Sequence, residues 1–333
     1  MLTEREEKIL TLIVEEYIKL TKPVSSNLIC KRLKCSSATV RSEMKTLEDL
    51  GLLEKRHTSS GRVPSEKGYR YYVDNLMSIK KMKAEDMYKL KVIFDNHQLN
   101  LSDTISKSLE VVADMTNYTT VVLGSSSHDN LLKQIEVIPI NEEFITIIVV
   151  TDKGHVQHKT ITLKDVSQEE IKKTVGLINN LIVGTPIDEV SQKLEYEVKP
   201  IIGRYVEQHE QIYNAFYNVF TDFTNVKGNA NFQGKNNILN QPEFTDSTKM
   251  KELYSKLENN DVIDNIRSIH KDNSNNIEIY IGEENNIDDD VTVIKTNYKS
   301  KEDNGTIAII GPKRMDYERV VGILEYIKEN IER

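Results

Sequence analysis

Ser36-Ser37-Ala38-Thr39-Val40-Arg41-Ser42-Glu43-Met44 and, a short helix later, His57-Thr58-Ser59-Ser60-Gly61-Arg62-Val63-Pro64-Ser65-Glu66-Lys67-Gly68-Tyr69-Arg70 are the stretches that decide how this chain folds. A helix that starts with small polar residues and is followed by a short basic hairpin is how a winged helix-turn-helix presents itself to DNA. Bulky side chains at the helix start would hold it out of the major groove. Ser37, Ala38, Thr39 and Ser42 meet that demand. Arg41 and Lys45 can reach phosphates or guanine edges, and Ala38 can touch a thymine methyl. In the wing, Thr58, Ser59, Ser60 and Arg62 suit the DNA backbone or the adjacent minor groove.

Working outward, Thr3 with Glu6 forms a capping box, and Ile9, Leu12, Ile13, Tyr17 and Leu20 recur along one helical face. Lys22-Pro23 breaks this helix, and Ser25 can cap a second one carrying Leu28, Ile29 and Leu33. Lys34-Cys35-Ser36 is a tight turn into the third helix. At 100° per residue that helix buries Val40, Met44, Leu47 and Leu50 and turns Ala38, Ser42, Lys45 and Asp49 outward, with Arg41 and Thr39 flanking. Gly51 closes it. Two extended pieces, 52–56 and 62–63, bracket the Thr-Ser-Ser-Gly tip.

At 333 residues with a 38% hydrophobic fraction, the chain has room for two or three domains with ordinary cores. The formal charge of −8 is unevenly spread. Residues 1–77 carry 14 Lys plus Arg against 11 Asp plus Glu, and residues 30–72 carry 10 against 5. A basic island therefore sits in an acidic chain, at the segment expected to meet DNA. No apolar run is long enough for a membrane span, and Glu4-Arg5-Glu6-Glu7-Lys8 replaces a signal peptide's apolar segment, so a cytoplasmic protein is expected.

Cys30 and Cys35 are five apart, neither a redox pair nor half of a usual zinc site, and suit a buried structural thiol role. The histidines at 97, 128, 155, 158 and 270 are scattered without a nucleophile or carboxylate in catalytic arrangement. Asp288-Asp289-Asp290 lacks the glycine and alternating ligands of a calcium loop and is expected to be a solvated acidic turn. No catalytic residue, cofactor or metal site is expected.

Beyond the wing, Pro64 and Ser65 start a fourth helix, and helical signal runs to about residue 118 with breaks at 80–83 and 97–101. Strands are expected at 119–123, 135–140, 144–150 and 155–163, then helices at 166–182 and 187–226. The Asn/Gly-rich 225–237 stretch is expected to be loop. A helix near 248–258, strands at 277–281, 291–296 and 306–310, and a helix at 315–331 complete an α+β pattern with a helical interruption.

In Ser36 to Met44, in the wing and in Gly68-Tyr69-Arg70-Tyr71-Tyr72-Val73-Asp74, the chain resembles the family of the heat-inducible transcription repressor HrcA. Three distant stretches carry the resemblance through the rest of its length. They are Gly234 with Asn237-Ile238-Leu239-Asn240-Gln241-Pro242-Glu243-Phe244, then Ile281-Gly282-Glu283-Glu284-Asn285, and Ile310-Gly311-Pro312-Lys313-Arg314-Met315-Asp316-Tyr317.

The resemblance implies an N-terminal winged helix-turn-helix at 1–78 and a helical connector at 79–118. It also implies a GAF-like α/β domain at 119–164 and 230–333, with an inserted helical dimerising domain at 165–229. It implies a homodimer on double-stranded DNA, at an inverted-repeat operator of chaperonin and DnaK-type chaperone operons, kept active by a GroEL-type chaperonin. The DNA-binding residues are then Ser37, Ala38, Thr39, Arg41, Ser42, Lys45, His57, Thr58, Ser59, Ser60, Gly61 and Arg62. Position 42 usually carries Asn in the family. Asn could read an adenine bidentately, whereas Ser offers a single contact. The competing expectation is a winged-helix regulator whose GAF-like domain senses a small molecule.

Overall fold

Three short helices and a two-stranded wing open the chain. Helices α1 (Glu4–Leu20), α2 (Ser26–Leu33) and α3 (Ser37–Asp49) are followed by strands β1 (Leu53–Glu54) and β2 (Val63–Pro64). The computed structural model describes residues 2–55, 61–79, 82–99, 101–124, 130–141, 143–152, 154, 156–163, 166–205, 209–225, 230–258, 261–269, 277–300 and 304–333. The expected capping box forms. Glu6 accepts from the Thr3 amide at 2.6 Å, and Thr3 Oγ1 accepts from the Glu6 amide at 3.3 Å. Ile9, Leu10, Ile13 and Val14 of α1, Ile29 of α2 and Val40 and Leu47 of α3 are fully buried together.

Leu50, expected inside, is 46% exposed. It caps the C-terminus of α3, and left-handed Gly51 (φ 74°) turns the chain there, so that Leu52 and Leu53 fill the core in its place. β1 and β2 pair antiparallel, with Leu53 opposite Pro64 and Glu54 opposite Val63. Helix α4 (Glu66–Tyr71) then starts from Ser65, whose hydroxyl accepts from the Gly68 amide at 2.9 Å and donates to the Gly51 carbonyl at 2.6 Å. Only glycine fits at 68, because a Cβ there would lie 2.0 Å from the Leu52 carbonyl oxygen.

Helices α5 (Ala84–Phe94) and α6 (Leu101–Thr116) follow the expected breaks. Strand β3 (Thr119–Gly124) is next, then β4 (Leu132–Pro139), β5 (Phe144–Thr151) and β6 (Val156–Thr162). The sequence reading places all four strands in one domain, but they do not share a sheet. β4, β5 and β6 form their own three-stranded antiparallel sheet, and β3 joins a five-stranded one. The alternation in β5 explains this. Ile145, Ile147 and Val149 point inward, and the helices that immediately follow supply their cover. These helices are α7 (Gln168–Ile182), α8 (Ile187–Lys193), α9 (Lys199–Tyr205) and α10 (His209–Asn225). The helix expected over 187–226 is interrupted by a wide turn at Leu194–Val198, just ahead of Pro200, which has no amide hydrogen to continue a regular helix.

The chain accordingly divides into two compact units. One gathers Met1–Val122, Asn231–Ser300 and Thr306–Arg333, and the other is built on Leu123–Ala230. The 132–162 strands, expected with 119–164 in one domain, fall in the second unit together with the helices that follow them.

In the first unit the sheet order is β7-β3-β10-β9-β8. The edge strand β7 (Ala230–Gln233) lies in the stretch expected to be loop. Ala230-Asn231-Phe232-Gln233 does alternate, but four residues flanked by Asn, Gly and Lys are too short a run to stand out from a loop. After α11 (Lys235–Leu239), α12 (Ser247–Glu258) and α13 (Asp261–Ser268) come β8 (Glu278–Ile281), β9 (Val291–Lys299), β10 (Asn304–Pro312) and α14 (Tyr317–Ile331). Val320, Ile323, Leu324 and Ile327 of α14 pack with Ile294, Ile307 and Ile309 of the sheet and with Ile105, Leu109 and Val112 of α6. The α+β make-up and the winged helix are as the sequence predicts.

The winged helix joins this sheet through α4 and the turn after it. Arg70 donates to the Ile279 carbonyl at 2.8 Å, approaches Glu284 at 3.2 Å, and forks onto Asp74 at 2.6 and 3.0 Å. Tyr72 donates to Glu318 at 2.9 Å, and the Tyr69 and Tyr317 rings lie 5.9 Å apart.

Candidate DNA interface

Helix α3 is capped by Ser36, whose hydroxyl accepts from the Thr39 amide at 3.1 Å and lies 2.8 Å from the Thr39 hydroxyl. Its anchoring face is Val40, Met44 and Leu47. That leaves Ala38, Arg41, Ser42 and Lys45 exposed to solvent, with Ser37 and Thr39 half-buried beside them. The expected recognition residues therefore share one face and its margin. Neither Arg41 nor Lys45 is ion-paired among the described residues. Two cations at an exposed helix face are free to move onto phosphates or base edges.

Two residues of α2 hold this face in place, and the sequence reading missed both. Ser26 accepts from Arg41 Nε at 3.3 Å, and Asn27 Oδ1 accepts from the Ser37 hydroxyl at 3.4 Å. Their polarity just after the Ser25 cap was the available signal. Thr46, one turn beyond Ser42, is also exposed and bonds back to the Ser42 carbonyl at 3.3 Å.

In the wing, His57, Thr58, Ser59 and Ser60 lie outside the described residues. Gly61 and Arg62 are described, and both are structural anchors. The Arg62 backbone pairs with Val24, its amide donating at 2.9 Å and its carbonyl accepting at 2.8 Å. This approach is so close that a Cβ on Gly61 would sit 2.3 Å from the Val24 carbonyl oxygen. The Arg62 guanidinium, expected on DNA, binds Glu48 of α3 at 2.6 and 2.7 Å, and its side chain is only 19% exposed. Arg62 thus ties wing, recognition helix and the turn before α2 into one piece.

Cys30 and Cys35 are both free and half-buried against the winged-helix core. Asp288 and Asp290 of the acidic turn pair with Lys256 at 3.1 Å and Lys249 at 2.7 Å. Among the described residues, no group of three His, Cys, Asp or Glu could hold a metal ion, and no helix is long and apolar enough to cross a membrane.

Comparison with known proteins agrees with this geometry. Residues 1–77 match the family model for the winged helix-turn-helix transcription repressor HrcA, DNA-binding, and residues 102–321 match that for the HrcA protein C-terminal domain. The heat-inducible transcription repressor HrcA of Bacillus pumilus is 38% identical over 99% of this chain and 97% of its own length. That of Brevibacillus brevis is 36% identical over 100% and 98%. A hypothetical protein of known crystal structure shares the fold, with a TM-score of 0.68 at 21% identity over 99% of this chain and 98% of that one. Matched by two family models over most of its length, and by relatives above 30% identity from end to end, the chain belongs to the HrcA family of heat-inducible transcription repressors.

Proposed function

We propose that the chain represses chaperonin and DnaK-type chaperone operons by binding an inverted-repeat operator in double-stranded DNA as a homodimer, and that a GroEL-type chaperonin keeps it in its DNA-binding form. The observation that carries this reading is the solvent-exposed face of α3, where Ala38, Arg41, Ser42 and Lys45 stand together above a buried Val40, Met44 and Leu47. Inserted in the major groove, the small residues at the helix start allow close approach, and Arg41 and Lys45 supply the cations. Ser37, Thr39 and the wing residues His57 to Gly61 flank them on the backbone, while Arg62 acts through Glu48 to hold the wing against the helix. On heating, unfolded protein competes for the chaperonin, active repressor falls, and the operons are expressed.

An inverted repeat calls for two copies related by a twofold axis, each placing one recognition helix. The second unit supports this. The outward face of its three-stranded sheet carries Phe144, Ile148 and Val150 of β5, flanked by Ile138 of β4 and Val156 of β6. These apolar side chains, set among Glu136, Thr146, His158 and Thr160 on the same face, suit a self-complementary contact with a second copy.

A footprint of the purified protein on its own host's chaperone promoter, with and without chaperonin, tests the scheme. Two symmetric protected half-sites that strengthen with chaperonin are expected. Protection indifferent to chaperonin would remove the modulator, and absence of paired half-sites would remove the operator assignment.

A further inference from the structure

Where the winged helix meets the five-stranded sheet, inside the first unit, lies a small polar cavity of about 160 Å³. Glu54 and Glu66 line it from the winged helix, and Glu243, Asp290, Lys313 and Arg314 line it from the sheet side. Arg314 is committed to Glu243 and, at 2.9 Å, to Gln241. Lys313 is shared between Glu66 at 3.9 Å and Asp290 at 3.7 Å, and Lys249 reaches Asp290 at 2.7 Å. With Glu283 and Glu284 adding to the field at Glu66, the wall is net negative.

Two groups at this wall lack hydrogen-bond partners among the described residues. Tyr69, a lining residue of the cavity, is 3% exposed, and its hydroxyl is buried and unsatisfied. Glu243 Oε2 is buried and unsatisfied as well. Buried polar groups in native proteins are rarely left this way, and each costs desolvation energy until a partner arrives. Glu243 Oε2 needs a donor, since a carboxylate oxygen can only accept, whereas the Tyr69 hydroxyl can give or take a hydrogen bond. The space matches about five waters at roughly 30 Å³ each, or one short aliphatic chain.

The stretches that build this junction are also the ones that DNA binding leaves without a role. Tyr69 comes from Gly68–Asp74, Glu243 from Asn237–Phe244, and Lys313 and Arg314 from Ile310–Tyr317, while Glu284 of Ile281–Asn285 receives Arg70 at the same seam. We propose that the cavity is a binding site for a small aliphatic amine, with a short diamine as the best match. One ammonium donates to Tyr69 and Glu243, and the other lies toward Glu54 and Glu66. The ammonium supplies up to three donors and a positive charge to a net-negative wall, whereas a hydroxyl supplies one donor and no charge and a carboxylate supplies neither.

Thermal melting of the full-length protein tests this without any operator, and so independently of the repressor reading. The probe is 1,4-diaminobutane, compared with 1,4-butanediol, succinate and magnesium chloride. Saturating diamine is expected to raise the midpoint by about 2–5 °C, with no shift from the other three. Tyr69→Phe removes one of the two anchors and is expected to abolish most of the shift. Its own midpoint stays level or rises, since an unsatisfied buried hydroxyl has been deleted. Glu243→Gln is expected to behave alike toward diamine, and should it fail to fold through loss of the Arg314 partner, Tyr69→Phe decides. Absence of a diamine shift, which would mark a hydrated cavity, overturns the proposal. So does a full shift retained in Tyr69→Phe, or a shift with magnesium and none with diamine.

Discussion

Arg41 and Arg62 are two cations of one helix-wing assembly with opposite situations. Arg41 stands in solvent on the outward face of α3, its Nε donating to the Ser26 hydroxyl. Arg62 is mostly covered and ion-paired to Glu48. Arg41→Ala is therefore expected to weaken operator binding by about 1–3 kcal/mol in a gel-shift titration and leave the melting midpoint unchanged. Arg62→Ala is expected to do the reverse in the first instance, lowering the midpoint, and a double-mutant cycle with Glu48→Ala should return a coupling of about 0.5–3 kcal/mol. Equal loss of operator affinity in both single variants, with no coupling to Glu48, would put Arg62 back on the DNA. Residue type and helical spacing were enough to put Arg41, Ser42 and Lys45 on the exposed face of α3, because such a face follows from the apolar stripe opposite it. They could not find the Arg62 contact, since nothing in a linear pattern says whether a wing arginine turns toward a phosphate or toward a carboxylate 14 residues upstream.

Among elements, the helices with an apolar stripe and a capping residue were legible to within a few residues. β7 was not, and neither was the break at Leu194–Val198, because backbone pairing at a sheet edge and a missing amide at Pro200 leave hydrophobic periodicity untouched. Helix α4 also has a role that periodicity does not announce. Its first turn places Glu66 against Gly282 of the turn after β8, beside Glu283 and Glu284, and burial there, only partly offset by the Glu283 amide and by Lys313, raises its carboxyl above the ordinary 4.5. A carboxyl held above its unfolded value favours the folded state fully only below that value, and the contribution is lost as pH rises through the folded pKa. Glu66→Gln is accordingly expected to melt higher than the parent at neutral pH, with the difference closing as pH falls below 4.5. Melting curves across that range check it, and a variant that is less stable at neutral pH would show that the Lys313 contact outweighs burial.

For the whole molecule, alternation in β4, β5 and β6 told which side of each strand is apolar but not which strands would share a sheet. Inward residues Ile145, Ile147 and Val149 could have faced the sheet of the first unit as readily as the helices α7 to α10 that cover them. The same alternation puts Ile148 on the outer face, opposite Glu136 on one side and His158 on the other, at the middle of the sheet. Its side chain is half-buried within one copy and contributes nothing to the inner core of its unit. A charge there leaves the fold of the unit alone, yet must be desolvated wherever a second copy covers the sheet. Ile148→Glu is thus expected to sediment as a monomer with a melting transition still cooperative. Its operator binding should fall and its dependence on salt become shallower, because a single recognition helix neutralises about half the phosphates that two do. A variant that still sediments as a dimer would move the twofold contact off this sheet. A monomer that keeps parental operator affinity and salt slope would break the link between two copies and two half-sites.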